Sequence, residues 1–308
     1  MKTLPKKIAV LMGGPGSERD VSFATGRGVV KALLSLGADA TEVDVKGPEF
    51  ELPPGTELAF LAIHGTFGED GQLQRILEER GVPYTGDGVA ASELAFDKIL
   101  SKKAFEKHHV PTPYWQIVTA DQRPTIPIPF VIKAPREGST VGVYIIKNDR
   151  EVDEAMTNAA KFSHEILVEK FIPGRELTIG ILGDLALPII EIIPKGGFYD
   201  FTNKYPFLNP SAGGGAEHVC PAKIDDDLTR AIQDLALRAH RALGLEVYSR
   251  VDVMLPEEGE PSVLEINTIP GMTEASLLPE AAGVAGISYP DLCARIIELS
   301  QKRTEAKR

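Results

Sequence analysis

Along the first 95 or so residues, apolar positions switch between two periods. KKIAVLM, ATEVDV and ELAFLAIHG are short runs of strand type, whereas SERDVSFATGRGVVKALLSLG and EDGQLQRILEERG repeat their apolar residues at helical spacing. Strands alternating with helices predict a parallel sheet with its functional loops at the strand carboxyl ends. The glycine-rich segments MGGPGSERD and IHGTFGEDG fall at those ends. A long helical stretch, ASELAFDKILSKKAFEKHH, follows and stops at the prolines of PTPYW. After the loop DQRPTIPIP the pattern becomes β-rich. IPFVIKA, VGVYIIKN and EILVEKFI enclose one helix, DREVDEAMTNAAKF, as in a small α+β unit. The remainder predicts strands RELTIGIL and LPIIEIIP, a long polar loop and the helix DDDLTRAIQDLALRAHRALG, with Asp225 as N-cap and Gly244 as stop. An acidic hairpin and a final helix, YPDLCARIIELSQK, close the chain. The expected class is α/β and α+β, in three units at 1–96, 97–172 and 173–308, with a cleft between them.

The hairpin RVDVMLPEEGEPSVLEIN places an acid inside each of two apolar strands. Alternation puts Arg250, Asp252 and Met254 on one face, and Glu265 with Asn267 on one face of the second strand. If Pro256 and Pro261 flank an EEGE loop with Gly259 at positive φ, Asp252 falls opposite Glu265 and Arg250 opposite Asn267. Like charges across a ladder repel, so something cationic should relieve them. A solvated outer face is the plain alternative. Hard oxygen ligands in this number suit magnesium, which keeps waters and takes substrate phosphates.

Composition narrows the class. The 308 residues allow two or three domains, each with its own core, and 43% hydrophobic with 25% charged residues is ordinary for a globular protein. A net charge of −11 argues against a nucleic-acid or anionic-membrane surface. The one basic cluster, the tail KRTEAKR, reads as a frayed helix end. Cys220 and Cys293 show no metal spacing and read as reduced core thiols of a cytoplasmic protein. LTIGILGDLALPIIEII is interrupted by Asp184, Pro188 and Glu191, so no membrane span is expected.

Phosphate chemistry is suggested by IPFVIKAPREGSTVGVYIIKN. Lys133 ends an apolar strand, faces away from the side of Phe130 and Ile132, and precedes a loop of Gly138, Ser139 and Thr140 whose amides could cradle phosphates. The same segment also reads as an exposed hairpin tip. MGGPGSERD lacks the third glycine of a dinucleotide fingerprint but remains a glycine turn at a helix start. Glu18 there would cap the helix or grip an ammonium group. His64 ends a strand, where a lone histidine is more often structural. The long loop FYDFTNKYPFLNPSAGGGAEHV, with Lys204 and Tyr205, reads as a lid or as plain disorder. EINTIPGMTEASLLP offers amides near Gly271, Thr273 and Ser276 for a carboxylate or oxyanion.

Taken together, GGPGSERDVS, IHGTFGEDGQLQ, PYTGDGVAAS, DKILSK, VIKAPREGSTVGV, FYDFTNKY, YSRVDVML and LEINTIPGMTEASLLP resemble, in order, the D-alanine–D-alanine ligases of the ATP-grasp superfamily. The resemblance spans essentially the whole chain. It implies a three-domain ATP-grasp fold, ATP, two magnesium ions (with manganese able to stand in), two D-alanine molecules and a cytoplasmic homodimer that makes a peptidoglycan precursor. It also implies roles. Asp252, Glu265 and Asn267 would be metal ligands. Lys98, Lys133 and Lys204 would meet the ATP phosphates, together with the loop of Ser139. Glu169, Lys170, Ile172 and Glu176 would hold adenine and ribose. Glu18, networked with Ser139 and Tyr205, would hold the first D-alanine, with His64 nearby. Arg250 and the Gly271 amide would stabilise the acyl phosphate and tetrahedral intermediate, and Ser276 with Leu277 would hold the second carboxylate. Two features depart from the family pattern: Thr140 stands where serine is common, and the segment PFLNPSAGGGAEHV is long and glycine-rich. Tyr205 favours D-alanine over D-lactate as acceptor. A ligase joining D-alanine to another D-amino acid or to D-lactate would share the ATP residues. A non-enzymatic amino-acid-binding protein would need neither Asp252 nor Glu265.

Overall fold

The structure, a computed structural model, describes residues 4–138, 141–194 and 216–306. Strands β1 (Lys7–Gly13), β2 (Asp39–Val45) and β3 (Leu58–Leu61) form a parallel sheet in the order β2-β1-β3. Helices α1 (Arg19–Ser35) and α2 (Gln72–Glu79) follow β1 and β3. The parallel βα unit read from the alternation is present. Gly13 and Gly14, at φ 93° and 88°, turn the chain from β1 toward α1, a conformation that side chains with a Cβ resist.

The stretch read as one long helix is two: α3 (Val89–Phe96) and α4 (Lys98–Lys107). Asp97 breaks it. Its backbone is extended, and its carboxylate accepts from the N–H groups of Ile99 and Leu100, so it begins a new helix instead of continuing the old one. Phe105 on α4 packs with residues of the C-terminal sheet, not with the central one.

The central sheet, antiparallel in the order β4-β7-β5-β6, uses β5 (Phe130–Lys133), β6 (Val143–Ile146) and β7 (Ile166–Lys170) as expected. Its edge strand β4 (Trp115–Val118) runs from the end of the PTPYW helix stop toward the DQRPTIPIP loop, where no strand was read. Helix α5 (Val152–Ala159) covers one face, and Phe130, Ile132, Val152 and Val168 form its separate core. The third sheet runs β11-β10-β8-β12-β13, with the two-residue β9 (Leu185–Ala186) beside β8. Its strands are β8 (Arg175–Leu182), β10 (Ile190–Pro194), β11 (Ala216–Val219), β12 (Tyr248–Leu255) and β13 (Ser262–Asn267), and α6 (Asp226–Ala242) packs on it. Asp225 caps α6 as predicted, accepting from Leu228 N at 2.9 Å.

The largest core joins the first and last segments. Val10 and Phe60 of the parallel sheet share it with Tyr248, with Leu278 of α7 (Leu277–Val284) and with Ile296 of α8 (Tyr289–Ala306). A core of their own was expected for each unit, yet these two bury apolar faces against each other. The basic tail also differs from expectation. Helix α8 continues to Ala306, and the buried Arg303 donates to Gly86 O at 2.5 Å and stacks on Tyr84. Cys293 is buried as read, whereas Cys220 is only half-buried. Among the described residues, no helix is long and apolar enough to cross a membrane.

Candidate active site

The acidic hairpin pairs as alternation predicts near its open end, Asp252 opposite Glu265 and Arg250 opposite Asn267. Toward the turn the register slips by one, to Val253 opposite Val263, because Leu264 is an extra residue in β13. Flanking prolines therefore do not set the whole ladder. The bulge leaves both Leu264 and Glu265 on a cavity wall. Asp252 is 6% exposed, which rules out a solvated face. Its charge is met from several sides. Arg250 donates Nε to Oδ1 and Nη2 to Oδ2, both at 3.0 Å. Thr178 Oγ1 donates to Oδ1 at 2.6 Å, and Asn267 Nδ2 donates to Oδ2 at 3.2 Å. Glu265 lies 3.6 Å from Lys98 Nζ.

Two carboxylates and an amide oxygen on neighbouring strands are a hard donor set. Among the described residues no group of three or more His, Cys, Asp or Glu could hold a metal unaided. The set therefore fits a magnesium ion that completes its shell with phosphate and water, not a closed protein cage.

Between the central and C-terminal sheets lies a cavity of about 350 Å³, lined by Lys133, Glu169, Lys170, Ile172, Glu176 and Asp252 among others. Lys133 faces it because its strand neighbours Phe130 and Ile132 point into the central core, as the alternation required. Its ammonium sits 2.5 Å from Glu169 Oε2, and Lys102 pairs with the other oxygen. Burial opposes charge on Glu169, but the two lysines outweigh it and hold the carboxyl below its ordinary range. Lys98 Nζ donates to Glu137 O at 2.7 Å, anchoring the loop that leads to Ser139.

A second cavity, of about 480 Å³, is lined by Glu18, His64, Arg250, Gly271, Ser276 and Leu277 among others. Glu18 stands at the start of α1 but makes no side-chain capping bond. Instead its carboxylate lies against Gly65 and Gly138, where an added Cβ would fall 2.5 Å and 3.2 Å from Oε2. His64 is 4% exposed, with both ring nitrogens engaged. Ile269 O, 2.8 Å from Nδ1, can only accept, so Nδ1 carries the proton and Nε2 accepts from Thr25 Oγ1 at 2.9 Å. Burial lowers its pKa against the pull of Glu18, so the ring stays neutral and acts as a tie between loops. Ser276 directs its hydroxyl at Thr273 and does not cap α7, so its side chain leaves the first-turn amides of that helix to other acceptors.

Lys98, Glu137 and Glu265 line both cavities, so the two spaces meet there. Ser139, Thr140, Lys204, Tyr205 and residues 198–215 of the segment read as a lid lie outside the described residues, whereas its last four residues, Ala216–Val219, are not loop but the strand β11, paired with β10.

Sequence reading missed several participants. Thr178 shares its strand face with Glu176, and Lys102 follows Lys98 by one helical turn; both spacings could have raised them. Glu69, in the IHGTFGEDG segment, lines the larger cavity and clasps two loops: Oε1 accepts from Gly65 N at 2.8 Å and Oε2 from Ile269 N at 3.4 Å. Burial, reinforced by the charge of Glu18, pushes its pKa up to about 7. A carboxyl raised above its unfolded value stabilises the fold fully at pH below that unfolded value, and the contribution is lost as pH rises through about 7. Glu69→Gln cannot ionise. Thermal melts should show it a few degrees above the parent near pH 8 and without that advantage near pH 4. A gain equal at both pH values would separate Glu69 from the titration.

Known proteins resemble this chain over nearly its whole length. A family model described as the D-ala D-ala ligase C-terminus matches residues 102–298. The D-alanine–D-alanine ligase of Methylacidiphilum infernorum is 46% identical over 303 residues, covering 98% of each chain. That of Citrifermentans bemidjiense is 45% identical over 297 residues, covering 95% of each. The crystal structure of the Bacillus anthracis D-alanine–D-alanine ligase complexed with ATP matches with a TM-score of 0.83 at 30% identity, over 99% of this chain and all of that one. With its three sheets, its paired cavities and relatives matched end to end, the chain belongs to the D-alanine–D-alanine ligase family and has the ATP-grasp fold.

Proposed function

We propose that this protein joins two D-alanine molecules into D-alanyl-D-alanine, using ATP and releasing ADP and phosphate, to supply a peptidoglycan precursor. The observation that carries the reading is the meeting of the two cavities at Lys98 and Glu265. A carboxylate held in the larger space and a terminal phosphate held in the smaller would face each other there.

The roles follow the three segments 1–96, 97–172 and 173–308. Glu18, between Gly65 and Gly138, holds the first ammonium, with Ser139 and Tyr205 completing the network. His64 keeps the loops in place. Lys98, Lys133 and Lys204 neutralise the phosphates, and Glu169, Lys170, Ile172 and Glu176 hold adenine and ribose. Asp252, Glu265 and Asn267 would hold two magnesium ions, which supply charge neutralisation at the phosphates. The first carboxylate attacks the γ-phosphorus, ADP leaves, and an acyl phosphate forms; positioning and electrostatics do most of this step. The second D-alanine, its carboxylate at Ser276 and Leu277, gives one ammonium proton to water and becomes a neutral amine. Its amine attacks the carbonyl, with Arg250 and the Gly271 amide stabilising the oxyanion; the tetrahedral intermediate collapses, the C–O bond to phosphate breaks, and phosphate departs as hydrogen phosphate with the proton the nitrogen gives up. Exclusion of water protects the acyl phosphate, which is the task of the segment around 199–216. The reading includes a cytoplasmic homodimer; sedimentation checks the subunit count.

Phosphate release from ATP, measured with D-alanine, D-serine and D-lactate in turn and with product masses, tests the assignment. D-alanine alone should support release and yield the dipeptide. Release that needs D-lactate, with an ester product, would transfer the protein to the depsipeptide alternative, and no release with any of them would remove the ligase reading.

A further inference from the structure

Lys102 lines neither cavity and is 1% exposed, yet it touches the wall of the nucleotide space from behind. Its ammonium pairs with Glu169 Oε1 and donates to Thr112 Oγ1. Thr112 donates onward to Val263 O at 2.8 Å, so the contact reaches the acidic hairpin. Lys133 occupies the other oxygen, Oε2, of the same carboxylate. One buried acid thus lies between two buried ammonium groups.

Charge accounting gives that arrangement a consequence. Lys133 and Glu169 alone would make a neutral pair, and a neutral pair attracts a polyphosphate only weakly. Adding Lys102 leaves the cluster with one net positive charge, while Glu169 divides its attraction between two partners. The need is real at this site. Among the described residues, six carboxylates and four cationic side chains line the cavity, so a polyanion enters against an excess of negative charge.

We infer that Lys102 is a positioning residue for nucleotide binding, whose charge prevents Glu169 from neutralising Lys133 and so keeps the Lys133 ammonium available to the phosphates. The state of the groups agrees. Burial brings Lys102 down to about 8, with Glu169 opposing the fall, so it is largely charged at neutral pH. Burial also opposes charge on Lys133, but Glu169 and Glu265 overcome it and hold that lysine above its ordinary value. A purely structural role is the competing account, because the same ammonium ties α4 to Glu169 and, through Thr112, to β13.

The inference rests on the nucleotide reading above, and binding of two ligands by the full chain separates the possibilities. Lys102→Met should weaken Mg·ATP binding by about tenfold or more, the effect of one charge a few ångströms from the phosphates. Adenosine, which has no phosphate, should bind within about twofold of its parent affinity. The KM for ATP should rise with kcat much less affected. Adding Glu169→Gln to Lys102→Met should recover most of the lost ATP affinity relative to adenosine, because Lys133 is then unopposed. Equal losses for ATP and adenosine, or no recovery in the double variant, would overturn the inference. Lys102→Gln keeps a donor for Glu169 and Thr112 and gives the same reading if the methionine variant does not fold. If the parent itself fails to bind Mg·ATP, it is the nucleotide assignment that falls.

Discussion

Glu265→Gln should leave the free protein about as stable as the parent and remove at least about a thousandfold of ligase activity. The two halves of this expectation have different origins. In the free protein Glu265 faces Asp252 across the ladder, a repulsion that the substitution relieves. It also loses the attraction of Lys98 at 3.6 Å. With Asp252 already held by Arg250, Thr178 and Asn267, the two changes nearly cancel, within about 0.5 kcal/mol. With nucleotide the balance is gone, because the amide is a far poorer magnesium ligand than the carboxylate. At a ligand concentration about a hundredfold above Kd, the parent should gain roughly 2.7 kcal/mol from Mg·ATP. The variant should keep only a small part of that gain. Thermal melts with and without Mg·ATP, together with phosphate release, decide the matter. A variant that retains both the ligand shift and the turnover would end the metal assignment.

Arg250 carries the second large effect. It grips both oxygens of a nearly buried carboxylate and lines the larger cavity, where the proposed reaction places the amino acids, so under that proposal one side chain serves stability and chemistry. Arg250→Met strands Asp252 with two neutral donors, and breaking a buried pair in this way costs about 3–5 kcal/mol. Arg250→Lys keeps the charge but not the planar fork. It should fold with most of the parent's stability in denaturant unfolding, yet lose about a hundredfold or more in phosphate release. Added guanidinium should return part of the activity to the methionine variant, provided it folds. A lysine variant with near-parental turnover would mean that Arg250 acts only as a prop for Asp252.

Local pattern carried far in this chain. The parallel βα unit, three of the four strands of the central sheet, the Asp225 cap and the pairing of Asp252 with Glu265 each depend on near neighbours: period, turn and capping chemistry. Where a local signal was ambiguous, reading went astray. The segment ending in Lys107 keeps helical apolar spacing across Asp97, yet a side-chain cap there starts a second helix. Trp115–Val118 is too short to announce itself and becomes a strand only because β7 pairs with it. Leu264 shows nothing in sequence that marks a bulge; the slip is set by β12 pairing with β8 on one side and β13 on the other.

Residue types and their order were thus enough to determine the βα frame, the face on which each acid of the hairpin sits, the lysine aimed away from the central core and, through the run of motifs, the family. Tertiary structure alone decided which charges meet. Lys102 and Glu169 are far apart along the chain but adjacent in space, as are Glu69 with Ile269 and His64 with Ile269. Spacing along a chain records the face a side chain takes, not what the opposite wall presents to it. Burial then changes what those groups are, lowering His64 and Lys102 and raising Glu69, because removing water penalises charge until a partner restores it. For His64 and Lys102 that partner, Glu18 or Glu169, lies far along the chain, and only folding brings it there.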